Sequence, residues 1–62
     1  MAITVRQMRL MHEATQEECA KLLDITPVAY RNKELGETRF YLDEVAKLCK
    51  HFGVDISDIK VD

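Results

Sequence analysis

The most constraining feature of this sequence is a very short joint between two segments with helical signals. The first segment ends at Asp24, a residue type that tolerates the left-handed backbone conformation better than most. Thr26 and Pro27 then predict a new helix, since threonine caps helix N-termini and proline is tolerated at the first helical position. Because Asp24 and Ile25 are the whole joint, the two helices must cross steeply. This spacing predicts a helix-turn-helix arrangement, although many helical hairpins share it.

Capping residues and apolar spacing predict five helical segments. Val5, Met8, Met11 and His12 share one face at spacings of three and four, which indicates a first amphipathic helix, and we expect Met8 and Met11 to fill the core. Thr15 to Glu18 matches a capping box before the second helix. Gly36 and Gly53 are expected to end the third and fourth helices. Phe40 and Leu42 are expected to be inward anchors of the connector between these two helices. The predicted helices cover about residues 3–13, 16–23, 27–35, 42–52 and 56–60.

Length and composition indicate one small domain of 62 residues, of which 47% are hydrophobic. No apolar run approaches the roughly 20 residues that span a bilayer, and no signal peptide opens the chain. Cys19 and Cys49 lie far apart without a CxxC pattern, so we interpret them as reduced core residues. These features predict a cytoplasmic protein.

The net charge of -2 is unevenly distributed. Residues 25–41 form the positive third of the chain, because three basic residues, Arg31, Lys33 and Arg39, outnumber two acidic ones there. An ordinary solvated helix face explains such a pattern about as well as a binding surface does. For Lys33, we expect the aliphatic stem to cover the edge of the core.

Metal binding and catalysis have little support in the sequence. The spacing of Cys19, Cys49, His12 and His51 matches no zinc-ligand pattern. No nucleophile has an evident neighbouring base, and no phosphate-binding loop is present. We therefore expect no cofactor, no metal and no enzymatic activity.

Several segments jointly resemble the Cro/lambda-repressor-like helix-turn-helix domains, also named the XRE family. The resemblance runs from about Val5 to Ile59 and is carried by Met8-Arg9, Thr15–Ala20, Leu23–Thr26, Glu34–Gly36 and Phe52–Ile59. It implies a compact all-α, five-helix fold in which the second and third helices form the DNA-binding motif. The run from Tyr30 to Glu34, followed by Phe40, looks particularly like short regulators from phages of Gram-positive bacteria.

The resemblance also implies roles for individual residues. Arg9 and Glu34 match a partly buried salt bridge between the first helix and the end of the third. The positions that match DNA contacts lie on the second helix, on the recognition helix with its cap and in the loop that follows: Gln16, Thr26, Pro27, Val28, Arg31, Asn32, Thr38 and Arg39.

Four positions depart from the family pattern. Asp24 stands where a turn glycine is usual, and Cys19 where a leucine is usual. Pro27 and Val28 replace residues that are often glutamine or serine, so they lack hydrogen bonds to bases. We expect them to pack against a thymine methyl group. Arg31 and Asn32 are then the polar readers, toward guanine and adenine respectively.

The resemblance implies a phage or prophage regulator, in the cytoplasm of a bacterial or phage-infected bacterial cell, that occupies an operator in double-stranded DNA. A lone domain makes few base contacts, so we expect a homodimer on a palindromic site. Apolar residues left over near the C-terminus suggest a dimer contact through Ile56, Ile59 and Val61, or through the loop before the fourth helix. The alternative is a protein-interaction module of the same fold, an antirepressor or co-regulator that binds a partner repressor and holds DNA weakly.

Overall fold

The computed structural model describes residues 2–60, which form four α-helices and one short 3-10 turn. The helices are α1 (Val5–Met11), α2 (Gln16–Leu22), α3 (Pro27–Leu35) and α4 (Leu42–Phe52), and the turn is Ile56–Asp58. The all-α architecture is as predicted. The predicted fifth helix over residues 56–60 is wrong, because Asp55 caps a single 3-10 turn and Ile59 is already extended.

The two ends of the chain pair with each other, which sequence reasoning missed. Ile3 and Ile59 form a parallel bridge, in which the Ile3 N–H donates to the Asp58 carbonyl at 2.9 Å and the Lys60 N–H to the Ile3 carbonyl at 2.7 Å. This pairing keeps Ile3 out of the first helix. Thr4 therefore becomes the N-cap, and its capping box with Gln7 starts α1 at residue 5 instead of the predicted residue 3.

The buried face of α1 also differs from the predicted one. Val5 and Met8 are buried, but Met11 is 68% exposed, and the further buried position of the helix is taken by Arg9. The helix ends at Met11 because the chain turns away through Glu13, whose backbone is left-handed with φ 55°. The prediction of Met11 as a core residue is therefore wrong.

The joint between α2 and α3 has the predicted backbone. Thr15 Oγ1 accepts from the Glu18 N–H at 3.1 Å, whereas the Glu18 carboxylate does not accept from the Thr15 N–H, so only half of the predicted capping box forms. Asp24 is left-handed with φ 57°, and the Ile25 N–H donates to the Ala20 carbonyl at 3.0 Å. These two features reverse the chain within the turn, so that α3 packs against α2 and starts immediately afterwards.

Among the described residues, eleven apolar ones from the four helices and the segments that flank them form the core: Val5, Met8, Ala14, Cys19, Ala20, Leu23, Tyr30, Val45, Leu48, Cys49 and Ile59. Phe40 packs onto this core and meets the ring of Tyr30 edge-on, with centroids 5.7 Å apart. Leu42 is 68% exposed because it opens α4 on the solvent side, so the prediction of Leu42 as an inward anchor is wrong. Within residues 2–60, no helix is long and apolar enough to span a membrane.

Candidate nucleic-acid interface

The face of α3 that points away from α2 is open to solvent. Thr26 Oγ1 accepts from the Ala29 N–H at 3.1 Å and begins the helix, and Pro27 occupies its first position. Tyr30 anchors the opposite face because its ring is fully buried. Val28, which is 68% exposed, and Arg31 therefore lie on the free side of the helix.

Two shallow depressions lie along α3 and contain most of the predicted DNA-binding residues. The first is lined by residues from the ends of α1, the start of α2 and the start of α3: Arg9, Ala14, Thr15, Gln16, Glu17, Pro27, Val28 and Arg31. The second is lined by the later part of α3 and the loop behind it: Ala29, Asn32, Lys33, Thr38, Arg39 and Tyr41. Every predicted DNA contact except Thr26, the cap of α3, therefore lines one of two open surfaces on one helix.

A buried ion pair fixes the geometry beneath the first depression. Arg9 Nε donates to Glu34 Oε2 at 2.7 Å and Arg9 Nη2 donates to Glu34 Oε1 at 3.1 Å. The third guanidinium nitrogen of Arg9 donates to the Ala14 carbonyl at 2.9 Å, so the linker between α1 and α2 is held as well. The two side chains are 10% and 2% exposed respectively.

Gln16 connects this ion pair to the surface. Its Nε2 donates to Glu34 Oε1 at 3.1 Å, which orients the amide at the start of α2 beside α3. Burial alone raises the pKa of Glu34, but the hydrogen bond from Arg9 outweighs burial, together with the nearby Tyr30 hydroxyl and the bond from Gln16, and lowers the pKa below the usual range. The hydrogen bond with Glu34 also raises the pKa of Arg9. The pair is therefore fully charged at neutral pH.

The loop between α3 and α4 is tied down by Lys33. Its Nζ donates to the Arg39 carbonyl at 2.9 Å, pairs with Glu44 Oε1 at 3.1 Å and lies 4.7 Å from the centroid of the Tyr41 ring. The same Glu44 oxygen accepts from the Tyr41 N–H at 2.8 Å. From the sequence we expect the stem of Lys33 to cover the core edge, but these partners of its ammonium group were missed. The signal in the sequence that could have indicated them is Glu44, an acidic residue three positions after Tyr41, the N-cap of α4.

These pairings decide which charges α3 presents. The carboxylates of Glu34 and Glu44 are both matched by cations, Arg9 and Lys33. Arg31 and Arg39 are exposed and make no ion pair within residues 2–60. Glu17 in the first depression and Glu37 on the loop are also exposed and outside these ion pairs, so two arginines and two carboxylates remain on this surface and its net charge is close to zero.

The cysteine and histidine residues form no cluster that could hold a metal within the part of the chain that is described. Cys19 and Cys49 are both free and buried, and burial raises the pKa of each thiol. His12 stacks on Phe52 with ring centroids 5.0 Å apart. These side chains belong to the packing of the domain.

The three residues predicted for a dimer contact have different positions. Ile59 is buried in the core and is already used within one chain. Ile56 is 37% exposed. Val61 lies outside the described residues. The loop before α4 ends at Tyr41, and both Tyr41 and Leu42, the first residue of α4, have exposed apolar side chains.

Comparison with known proteins identifies the class. A family model described as helix-turn-helix matches residues 5–59, which is most of the chain. The protein belongs to this family, the XRE-type helix-turn-helix domains, and is a DNA-binding regulator of the XRE/Cro type. The family is one of DNA-binding domains and not of enzymes. No curated protein matches the sequence, and no solved structure matches the fold.

Proposed function

We propose that this protein is a sequence-specific transcriptional regulator of a phage or prophage, which represses by occupying an operator with α3 in the major groove. The observation that carries the proposal is the pair of open depressions along α3, in which seven of the predicted contact residues meet. A nine-residue helix is about 14 Å long. The major groove is about 12 Å wide and admits an α-helix.

The contacts divide into two kinds. Val28 and Arg31 lie on the exposed side of α3, with Asn32 further along the helix and half-buried. We assign base reading to these three and to Pro27. Pro27 and Val28 pack on a thymine methyl group, and Arg31 and Asn32 form hydrogen bonds. Gln16, Thr26, Thr38 and Arg39 flank α3, and we assign them to the phosphate backbone, which sets position and not sequence.

A symmetric operator with two copies of the chain fits the size of the domain. The domain measures 28 × 21 × 18 Å. Half-sites one helical turn apart are separated by about 34–36 Å, so two copies fit side by side on one face of the duplex. We assign the contact between them either to Ile56 near the C-terminus or to the exposed apolar side chains of Tyr41 and Leu42 at the start of α4.

Selection of bound sequences from a random duplex pool tests this function. We expect one palindromic motif, and two chains per selected duplex by sedimentation. Binding to that duplex should weaken steeply with salt, because each neutralised phosphate releases counterions. Weak binding without a motif, together with a defined complex with another regulator, would support the protein-interaction module instead.

A further inference from the structure

The loop of residues 36–41 carries two of the proposed phosphate contacts, Thr38 and Arg39, but has few bonds of its own. The Glu37 and Thr38 N–H groups donate to the Asn32 carbonyl at 3.0 and 3.4 Å, which fixes the first half of the loop to the end of α3. Both Thr38 and Arg39 are exposed. The second half of the loop needs another anchor.

Lys33 and Glu44 supply this anchor from opposite sides of the loop. Lys33 Nζ reaches the Arg39 carbonyl from the last turn of α3, at 2.9 Å, and meets Glu44 Oε1 at 3.1 Å. Glu44 belongs to the first turn of α4 and accepts the Tyr41 N–H. The two side chains are 11% and 13% exposed, so solvent screens this pair less than a surface pair.

We propose that Lys33 and Glu44 are positioning residues, which hold the loop of residues 36–41 in the shape that brings Arg39 to the DNA backbone. The inference rests on the proposed function. The ammonium group of Lys33 binds the Arg39 carbonyl and the Glu44 carboxylate, so its charge is directed into the protein. Lys33 therefore acts on DNA through the position of Arg39. Glu44 likewise contributes to DNA binding although its negative charge repels the DNA phosphates.

The charge of Glu44 makes the inference sharply testable. Glu44→Ala removes one negative charge near the binding surface, so charge alone predicts tighter DNA binding. Loss of the anchor predicts weaker binding, because Arg39 is no longer held at its phosphate. Asp43→Ala is the matched control, since Asp43 is the neighbouring exposed acid in the same turn and makes no side-chain hydrogen bond or ion pair within residues 2–60.

The experiment measures binding of the full chain to its selected duplex across a range of salt concentrations. We expect Glu44→Ala to bind roughly three- to tenfold more weakly at physiological salt, with the slope of log K against log salt smaller by about one, as for the loss of one phosphate contact. Asp43→Ala should bind as well as the unmodified chain or better. Arg39→Ala should add little in the Glu44→Ala background, since both changes remove the same contact.

Lys33→Met and Lys50→Met form a second matched pair, which keeps the inference testable should Glu44→Ala not fold. Lys50 lies in the last turn of α4, about 12 Å along the helix from its start. Lys33→Met should be non-additive with Arg39→Ala, whereas Lys50→Met should be additive. Amide exchange of residues 37–41 in the free protein should quicken with Lys33→Met and stay unchanged with Lys50→Met.

Glu44→Ala binding as tightly as Asp43→Ala, or full additivity with Arg39→Ala, would overturn the inference and leave the proposed function standing. A folded, unmodified chain that selects no DNA would overturn both. Circular dichroism and thermal melting of each variant separate a change in the loop from a loss of the fold.

Discussion

Glu34 Oε2 lies 2.7 Å from Arg9 Nε, so two residues that are 25 positions apart meet in a two-bond ion pair beneath the candidate DNA surface. The pair joins α1 to the end of α3 and, through Gln16, to the start of α2. The recognition helix is therefore positioned by charge as well as by packing. This arrangement makes the orientation of α3 sensitive to single changes far from its exposed face.

Glu34→Ala should lower the free energy of unfolding by about 3–5 kcal/mol, since it leaves the buried guanidinium of Arg9 without its partner. A domain of this length has a total stability of roughly 3–9 kcal/mol, so the variant should be close to unfolded at room temperature. Urea unfolding followed by circular dichroism measures the effect. Glu37→Ala, on the exposed loop, is the control and should change stability by less than about 0.5 kcal/mol.

The double variant Arg9→Met, Glu34→Leu separates the cost of an orphaned charge from the value of the pair. Apolar replacement of both partners should recover much of the stability lost in Glu34→Ala, because no buried charge remains. A loss below about 0.5 kcal/mol in Glu34→Ala itself would show that the pair contributes as little as an exposed one.

Stability should fall in acid because the pKa of Glu34 is lowered in the folded state. A carboxyl group whose pKa is lowered by folding stabilises the fold at pH values above its unfolded pKa, which is 4.5 here. This contribution is lost as the pH falls through the folded pKa. Urea midpoints measured from about pH 6 to about pH 3 should decline most steeply below the unfolded value. Asp55 adds a change of the same sign, since hydrogen bonds from Ser57 lower its pKa.

Glu34→Gln isolates the contribution of Glu34 to this decline. The variant has no titrating group at that position, so its urea midpoint should fall less with pH than that of the unmodified chain. Parallel profiles for the two proteins would mean that Asp55 and other carboxyls account for the whole decline.

Tyr30→Phe should not destabilise the domain at neutral pH. The Tyr30 hydroxyl is fully buried and close enough to Glu34 and Cys19 to affect their pKa values, yet within residues 2–60 no group meets it with full hydrogen-bond geometry. An unpaired buried hydroxyl costs free energy, so its removal should leave stability unchanged or raise it by about 1 kcal/mol. Thermal melting at neutral pH measures this. A loss above about 1 kcal/mol would indicate a hydrogen bond from Tyr30.

The same substitution should alter behaviour in alkali. Burial raises the pKa of Tyr30 above its ordinary value of 10.0, so the folded state holds the proton more tightly than the unfolded state does. The contribution of Tyr30 to stability is therefore complete at pH values below the pKa of the unfolded state, and it is lost as the pH rises above that pKa. Tyr30→Phe should show a shallower loss above about pH 10.

Local signals in the sequence were sufficient for the two longer helices. The cap and proline at residues 26–27 and the left-handed glycines 36 and 53 act on their own neighbours, and α3 and α4 begin and end at the predicted residues. The end of α2 was placed one residue late, at Leu23, which is its C-cap. Such signals work because capping involves residues three or four positions apart.

The errors arose where distant parts of the chain interact. Pairing of Ile3 with Ile59 delays the start of α1 and takes the place of the end of the predicted fifth helix. No local sequence pattern around either residue predicts this pairing. Amphipathic spacing could not choose Arg9 over Met11 as a buried position, because a charged side chain is buried only when a partner such as Glu34 meets it. For the candidate site, the resemblance gave its residues, whereas the Lys33–Glu44 anchor depends on how α4 approaches α3.

Arg31 and Arg39 should differ in how they contribute to DNA binding, since one lies on the exposed side of α3 and the other on the loop. Arg31→Ala should cost about 1–3 kcal/mol on the selected duplex and relax the preference for one base pair. Arg39→Ala should weaken binding to all sequences similarly and reduce the salt slope by about one. Competition between the selected duplex and single-position variants of it measures both effects.

The exposed arginine Arg6, on α1, is the control for loss of charge alone, because it lies outside the two depressions along α3. Arg6→Ala should leave the base preference unchanged and should affect affinity less than either of the other substitutions. Equal relaxation of base preference by Arg31→Ala and Arg39→Ala would contradict the division of α3 and its loop into base-reading and backbone-binding parts. It would place the loop in the groove together with the helix.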